Sequence, residues 1–386
     1  MHDASAATSR LAVTRLRLTN FRSYATGDIA VDAAPVVLAG PNGAGKTNVL
    51  DAISLLSPGR GLRGAKLNEH ARKGPVASDT LWAVAANVTR GPSTHEIGTG
   101  MTSASPSRQV RLNGAAASSS AELGEIVQMI WLTPAMDRLF TESAGGRRRF
   151  LDRLVLGFEP AHARTATRYE TAMRERARLL KYGPRDPAWL DGLENEMAQT
   201  GLDIAQARAR TVETLSRALA ERGQAGAFPA AALALNDELH LSSLDDMRAH
   251  LAASRMRDAE SGRTLFGPHT SDLAVRHTAK RADARDCSTG EQKALLISII
   301  LADARELARA RQDCAPILLL DEIAAHLDGM RRAALFAEIS DLSAQAWMTG
   351  TDLSLFDDAQ AQIFEVRDGQ FHAQTLEPPH AAASGE

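Results

Sequence analysis

The chain has 386 residues, a formal net charge of −3, 44% hydrophobic residues and 24% charged residues. These values are those of an ordinary soluble protein with room for two domains. Because the net charge is not positive, any nucleic-acid binding must depend on a local basic patch. The two cysteines, Cys287 and Cys314, form neither a disulfide framework nor a zinc site. The apolar run Ala294–Leu301 is too short to span a bilayer, and no secretory signal is visible, so we expect a cytoplasmic protein without a membrane partner.

The first elements along the chain are predicted strands. Between Leu11 and Tyr24 apolar and charged residues alternate, which is typical of a half-exposed strand, and Ile29–Val31 can pair with it. The continuous apolar run Val36–Ala39 predicts a buried strand that leads into the next motif.

A phosphate-binding P-loop follows this buried strand, and its sequence fits G-x-x-x-x-G-K-[ST]. Its residues are Gly40, Pro41, Asn42, Gly43, Ala44, Gly45, Lys46 and Thr47, with Asn48 directly after them. Glycines let the backbone approach a phosphate, and the helix N-terminus favours the negative charge. We expect Lys46 to contact the β- and γ-phosphates of ATP and Thr47 to bind Mg²⁺.

Two groups of basic residues are candidates for contacts with DNA phosphates. They are Arg60, Arg63 and Lys66 in the glycine-rich loop Ser57–Lys66, and Arg147, Arg148 and Arg149 at a predicted helix start. Both groups are equally compatible with solvated surface positions. If they contact DNA, affinity must fall steeply with salt.

Further strands are predicted at Leu81–Val88, Val110–Leu112 and Glu125–Leu132. Residues from about 137 to 255 have the Ala, Arg, Leu and Glu composition of helices, with heptad-like spacing that suggests a short antiparallel coiled coil. A strand-like pattern resumes at Thr264–His269. The sequence therefore predicts an α/β head split by a helical insertion.

The predicted boundaries divide the chain into four segments. Residues 1–135 form the N-terminal part of the head with the P-loop, and residues 136–262 form the helical insertion. Residues 263–375 form the C-terminal part of the head, and 376–386 form a Pro-, Ala- and Ser-rich tail that we expect to be disordered.

A second apolar strand, Ile317–Leu320, ends in the acids Asp321 and Glu322, which is the Walker B pattern. The carboxyl ends of parallel strands form the ligand-binding edge of such sheets. We expect Asp321 to hold Mg²⁺ and Glu322 to orient or deprotonate the attacking water, with Lys46 completing the catalytic set.

The segment Ser288–Lys293 opens a predicted apolar helix about 30 residues before the Walker B strand. Its form, S-x-G-[QE]-Q-[KR], resembles the signature motif of ATP-binding-cassette (ABC) ATPases. The resemblance implies a head that dimerises over ATP, with Ser288, Gly290 and Glu291 facing the nucleotide held by a second copy. Thr349 and Thr351 occupy the region where transporter ATPases carry a switch histidine, so either threonine is a candidate for that role.

Several motifs narrow the resemblance to the RecF family of recombination mediators. They are the opening Leu16–Tyr24, the P-loop with its trailing Asn48, the segment Gly146–Asp152, and Gly267–Leu273. Gly146 departs from the family, which usually has an acid there. The match runs from about residue 10 to residue 370, and the insertion is too short for the long arms of SMC proteins.

Resemblance to the RecF family implies an ABC-type P-loop ATPase head, with a mixed sheet flanked by helices and an inserted helical arm. It also implies an ATP-dependent homodimer that binds single- and double-stranded DNA. Weak ATP hydrolysis then acts as a conformational switch, and the partners are RecR, with RecO and RecA, at single-stranded gaps. The alternative is the ATPase subunit of an ABC transporter, which the long insertion and the missing histidine disfavour. A P-loop kinase would not need the signature motif.

Overall fold

The computed structural model describes residues 10–74, 79–183, 186–223, 226–236, 243–312 and 314–374. Two compact units divide the chain: Met1–Pro134 together with Ala308–Glu386, and Ala135–Leu307. The predicted insertion lies within the second unit, which continues to Leu307 and also contains the signature-like segment. The predicted tail, 376–386, lies outside the described residues.

In chain order the strands are β1 (Leu11–Phe21), β2 (Tyr24–Ala30), β3 (Val36–Ala39), β4 (Thr80–Arg90), β5 (Ser93–Thr102), β6 (Ser105–Leu112), β7 (Ala115–Ala116), β8 (Met129–Leu132), β9 (Ala231–Asn236), β10 (Asp272–His277), β11 (Ala282–Asp283), β12 (Ile317–Leu320), β13 (Ala346–Gly350), β14 (Gln362–Arg367) and β15 (Gln370–Gln374). The helices are α1 (Lys46–Ser54), α2 (Leu123–Ile126), α3 (Ala144–Phe158), α4 (His162–Tyr182), α5 (Pro187–Arg222), α6 (Leu244–Ala253), α7 (Arg255–Ser261), α8 (Thr289–Ala310) and α9 (Gly329–Asp341). None of the helices in the described part of the chain is long and apolar enough to cross a membrane.

The first unit contains an antiparallel sheet of order β2-β1-β4-β5-β6-β7. Its strand β1 has the predicted alternation: Leu16 and Leu18 are buried, whereas Arg15 and Arg17 are exposed. The apolar face of the strand therefore joins the core, and its charged face meets solvent.

The same unit contains a mixed sheet of order β15-β14-β3-β13-β12-β8, in which only the β14–β15 pair is antiparallel. Strands β3, β12 and β13 are buried along their whole length, as their continuous apolar sequences predict. The predicted α/β class with a mixed sheet is thus confirmed. Since β13 lies between β3 and β12, the residues that follow these three strands meet at one edge of the sheet.

The second unit is mainly helical, with a small sheet of order β11-β10-β9. Helices α4 and α5 run antiparallel, so that Leu179 and Leu180 pack near Leu190, while Tyr169 packs near Met197 and Ala198. At the centre of this packing Arg176 is fully buried and donates hydrogen bonds to Glu194 and Asp258, which compensate for removing its charge from water. The predicted helical composition is confirmed for this pair.

Three local predictions were wrong. Glu125–Leu132 is not one strand: α2 ends at Ile126, and β8 begins only at Met129. Thr264–His269 is not a strand: a turn begins at Gly267, whose φ is +140°, and is closed by the bond from the Thr270 amide to the Gly267 carbonyl. Within the predicted helical region, Ala231–Asn236 forms β9 because β10 supplies its backbone partners.

Candidate nucleotide-binding site

The P-loop connects β3 to α1, as the motif predicts. Gly40, Gly43 and Gly45 have positive φ values of 146°, 85° and 108°, which favour glycine. A Cβ on Gly40 would lie 2.7 Å from the Val366 carbonyl oxygen, and one on Gly45 would lie 2.8 Å from the Tyr24 hydroxyl. The backbone conformation therefore favours glycine at all three positions, and the close approach of neighbouring groups adds a second reason at Gly40 and Gly45.

Lys46 lies at the first position of α1, and its side chain folds back over the loop. Its Nζ donates hydrogen bonds to the carbonyl oxygens of Gly40 and Pro41 at 2.6 and 2.9 Å. Burial lowers the pKa of Lys46, and the charges of Glu322 and Asp321 oppose this shift. The Lys46 ammonium beside the loop backbone suits a phosphate, whose oxygens would take the place of these two carbonyls.

Asp321 follows β12 and accepts two hydroxyl hydrogen bonds on the same oxygen. The Oγ1 atoms of Thr47 and Thr349 both donate to Asp321 Oδ1 at 2.8 Å. The structure thus brings together the two residues predicted to bind Mg²⁺. Within the described ranges no cluster of three or more His, Cys, Asp or Glu side chains could hold a metal. A hydroxyl and one carboxylate suit Mg²⁺, which takes its other ligands from phosphates and water.

Glu322 is held in an unusual backbone conformation beside Asp321. Its φ is +52°, and its amide N–H donates to Thr349 Oγ1 at 2.9 Å. Left-handed backbone at a residue other than glycine costs about 1–3 kcal/mol and persists where surrounding contacts impose it. Of the two switch candidates, Thr349 bonds to both Walker B acids, whereas Thr351 is exposed on the following turn.

The opening motif of the chain, Leu16–Tyr24, makes hydrogen bonds to the P-loop and to α1. Tyr24 donates its hydroxyl to the Gly45 carbonyl at 3.2 Å, and Asn48 Nδ2 donates to Ser23 Oγ at 2.9 Å. Arg22 donates Nε and Nη2 to Asp51 Oδ2 at 3.0 and 2.8 Å, in the middle of α1. The opening motif Leu16–Tyr24 therefore holds α1 and the P-loop in place, and Asn48 contacts it through Ser23.

In the second unit the signature-like segment opens α8. Ser288 and Gly290 are exposed, and the Ser288 amide donates to Glu291 Oε2 at 3.1 Å. The pKa of Glu291 is lowered to about 2, first by its hydrogen bond with Lys280 and then by those with Ser288. Glu291 thus holds the helix start in shape, while Ser288 and Gly290 are accessible to another molecule.

The predicted DNA-contacting arginines have different environments. Arg60, Arg63, Lys66 and Arg149 are exposed. Arg147 donates to both carboxylate oxygens of Asp272 at 2.8 Å and to the Glu142 carbonyl at 2.6 Å. Arg148 is half-buried and donates to the Ser271 carbonyl at 2.7 Å. Both therefore make contacts within their own unit.

Sequence reasoning missed Arg108, which holds the basic loop against the P-loop helix. Its guanidinium contacts the carbonyl oxygens of Leu55, Ser57 and Gly59, the last at 2.7 Å. Nε also donates to Thr99 Oγ1 at 2.8 Å, and burial lowers the pKa of Arg108 to about 10. Backbone carbonyls at a helix C-terminus favour a cation, but no local motif marks them as partners.

The P-loop follows β3, the Walker B acid Asp321 follows β12, and Thr349 lies near the end of β13 between them. In a mixed sheet this arrangement defines an ABC-type ATPase head. The chain belongs to the RecF family, within the group described as "RecF/RecN/SMC N terminal domain", whose model matches residues 12–372. It is 46% identical over 372 residues to the "DNA replication and repair protein RecF" of Rhizobium etli (strain CIAT 652), covering 94% of this chain and 98% of the relative. The corresponding protein of Mesorhizobium japonicum is 49% identical over 371 residues, covering 92% and 96%.

Solved structures agree with this fold. A structure described as "recombination mediator protein RecF-ATP in RecFOR pathway" has a TM-score of 0.83 at 20% identity, covering 97% of this chain and all of that one. An Smc head domain with an extended coiled coil from Pyrococcus furiosus has a TM-score of 0.54 at 18% identity, covering 95% and 97%. At these identities the likeness concerns the fold.

Proposed function

We propose that the protein is an ATP-dependent DNA-binding protein of the RecF type, which acts in DNA repair and replication as a nucleotide-controlled clamp. The observation that carries the proposal is the convergence of Thr47 and Thr349 on one oxygen of Asp321, next to the Lys46 ammonium. ATP would supply a triphosphate whose terminal phosphate distinguishes the loaded head from the empty one. The relatives at 46–49% identity, named as DNA replication and repair proteins, support the DNA role.

The residues of the site are expected to have different roles in binding and hydrolysing ATP. Lys46 would exchange its two carbonyl partners for phosphate oxygens, and Thr47 and Asp321 would hold Mg²⁺. Glu322 would either orient the attacking water or accept its proton. Hydrolysis is expected to be weak and to serve as a switch rather than as metabolic catalysis.

The exposure of the signature-like segment supports the proposal that the protein dimerises. Ser288 and Gly290 present a hydroxyl and backbone at the start of the 22-residue helix α8, where an anion is favoured. A second copy that presents a bound γ-phosphate would complete this contact. ATP binding and dimerisation are then linked, because only the loaded head offers that phosphate.

DNA, single- or double-stranded, would be bound by exposed basic side chains. Arg60, Arg63, Lys66 and Arg149 are the stronger candidates, because Arg147 and Arg148 already make internal bonds. The name of the RecFOR pathway supports RecR and RecO as partners. We extend the proposal to RecA by the resemblance to the RecF family, and to the cytoplasm as the location.

A mobility-shift experiment tests the proposal most simply. We expect a shift of gapped DNA with ATP and Mg²⁺ and little or none with ADP, with affinity falling steeply between 50 and 200 mM salt, by on the order of 10³-fold for six phosphate contacts. Binding that does not depend on nucleotide would contradict the clamp. The transporter alternative is not favoured, since the similar proteins are RecF proteins; it predicts no DNA shift at all.

A further inference from the structure

Two large aromatic side chains lie at the facing ends of α4 and α5 in the second unit. Tyr182, the last residue of α4, is 77% exposed, and Trp189, in the first turn of α5, is 55% exposed. Most large apolar side chains of the described residues are buried or partly buried, so an exposed pair at two consecutive helix ends is unusual. Their exposure requires an explanation beyond packing.

The interior of this helical hairpin does not need either ring. Leu179, Leu180 and Leu190 form the apolar contact between the two helices at this end, and they are 3–5% exposed. Tyr182 and Trp189 lie one to three residues beyond these leucines in sequence, on the outside of the pair. Truncating them is therefore expected to leave the helical packing intact.

Helix α4 carries positive charge near Tyr182. Arg174, Arg178 and Lys181 are all exposed and recur at intervals of four and three residues, so they follow one face of the helix. Lys181 Nζ lies 4.9 Å from the centre of the Tyr182 ring, within the range of a cation–π contact. We name Tyr182, Trp189, Arg174, Arg178 and Lys181 the arm-tip surface.

Acidic groups near this surface are largely engaged elsewhere. Asp186 accepts the Ala188 amide and caps α5, and Asp191 pairs with Arg255. Glu175 is exposed and remains a negative neighbour on α4. The three basic side chains thus lie along α4 next to the exposed rings of Tyr182 and Trp189.

We propose that the arm-tip surface is a stacking site for unpaired nucleobases. Tyr182 and Trp189 stack on bases, while Arg174, Arg178 and Lys181 contact the adjoining phosphates. Aromatic platforms next to basic side chains bind single strands in this way, since every base has a π-face that is hidden only when it is paired and stacked. The inference rests on the proposed function and adds to it a site that distinguishes single-stranded from duplex DNA.

The distribution of tryptophans allows a direct test. Trp189 is the exposed member of the chain's four, because Trp82 and Trp347 are 0% exposed and Trp131 is 8% exposed. Quenching of intrinsic fluorescence by oligo(dT) therefore reports on Trp189. We expect saturable quenching in the wild type, no quenching in Trp189→Phe, and oligo(dT) affinity in that variant close to wild type, because phenylalanine still stacks.

The companion variant is Tyr182→Ala, with Tyr182→Phe as its control. One lost stacking contact is expected to weaken oligo(dT) binding by about tenfold. Duplex binding is expected to change less than twofold, and the thermal unfolding midpoint to stay constant. The conservative Tyr182→Phe variant should bind oligo(dT) like the wild type.

The outcomes separate this inference from the proposed function. A wild type that binds no DNA in any nucleotide state contradicts the proposed function itself. The arm-tip site alone is overturned if the wild type binds DNA but two further results hold. Oligo(dT) does not change Trp189 emission, and Tyr182→Ala binds oligo(dT) with full affinity. Trp189 emission that shifts with protein concentration without DNA would assign the surface to contact between proteins, which also overturns it.

Discussion

Thr349 Oγ1 donates to Asp321 Oδ1 at 2.8 Å and accepts the Glu322 amide at 2.9 Å, so one hydroxyl connects both Walker B acids. The hydroxyl reaches both because β13, which carries Thr349, lies between β3 and β12. We therefore expect a change in the metal environment of Asp321 to be transmitted to the backbone of Glu322. The residue occupies the region of a switch side chain and has the contacts that such a role needs.

Thr349→Val tests this connection. Valine keeps the shape of threonine but removes the donor and acceptor, leaving the Glu322 amide unpaired, at a cost of about 1–3 kcal/mol. We expect ATP binding to persist and hydrolysis to fall at least tenfold, whereas Thr349→Ser, which keeps the hydroxyl, retains most activity. Equal single-turnover rates for the valine and serine variants would contradict the role.

Lys46→Ala removes the ammonium that the empty loop holds on the Gly40 and Pro41 carbonyls. We expect affinity for a fluorescent ATP analogue to fall about 100-fold or more, since hydrogen bonds to charged groups contribute about 1.5–3 kcal/mol each. Burial lowers the pKa of Lys46, so its removal costs the empty protein little. A loss of folding in circular dichroism, rather than of nucleotide binding, would argue against this account.

Arg108→Met tests whether the basic loop is held by backbone carbonyls. The substitution removes bonds to the carbonyls of Ser57 and Gly59 and to Thr99, of which Ser57 and Thr99 are buried and Gly59 is exposed. We expect a loss of about 2–4 kcal/mol in unfolding free energy, faster amide exchange in the loop, and weaker DNA binding. Arg111→Met, at an exposed position of the same strand, is the control and should change stability by less than about 0.5 kcal/mol.

Asp152 supplies a prediction for pH. Burial raises its pKa, but hydrogen bonds from His162 and Arg208 outweigh burial, so the net pKa lies below the ordinary value. A depressed pKa contributes stability above the unfolded value near 4, and that contribution is lost as pH falls through the folded pKa. We expect Asp152→Asn to lose about 2–4 kcal/mol at pH 7.

The same variant is then compared with the wild type in urea at decreasing pH. The difference in unfolding free energy should shrink below about pH 4, where the wild-type carboxylate is itself protonated. A difference that stays constant from pH 7 to pH 3 would mean that Asp152 acts through packing instead of charge.

The local motifs were predictable because each carries its own physical signal. Glycines before a lysine at a helix start, or an apolar run that ends in two acids, can be recognised without knowing the fold. The bonds of Thr349 could not be predicted, because they depend on β13 lying between two strands that are distant in sequence. Arg108 was missed for a similar reason, since its partners are carbonyls about 50 residues earlier.

Two of the wrong local predictions, the helix over Ala231–Asn236 and the strand over Thr264–His269, have a different cause. Ala231–Asn236 has an alanine-rich sequence that is compatible with helix, and its pairing with β10 decides the conformation. Thr264–His269 has a strand-like apolar pattern, but the positive φ of Gly267 and the proline after it stop the chain from extending. Tertiary pairing and turn geometry override local pattern in both cases.

We propose that ATP closes two copies of the head and that Glu322 is needed to release them. Light scattering on Glu322→Gln with saturating ATP and Mg²⁺ tests it directly, with the double variant Lys46→Ala/Glu322→Gln as control. We predict twice the chain mass of 41.3 kDa for Glu322→Gln and the single mass for the double variant. A monomer of Glu322→Gln at saturating ATP would contradict the account.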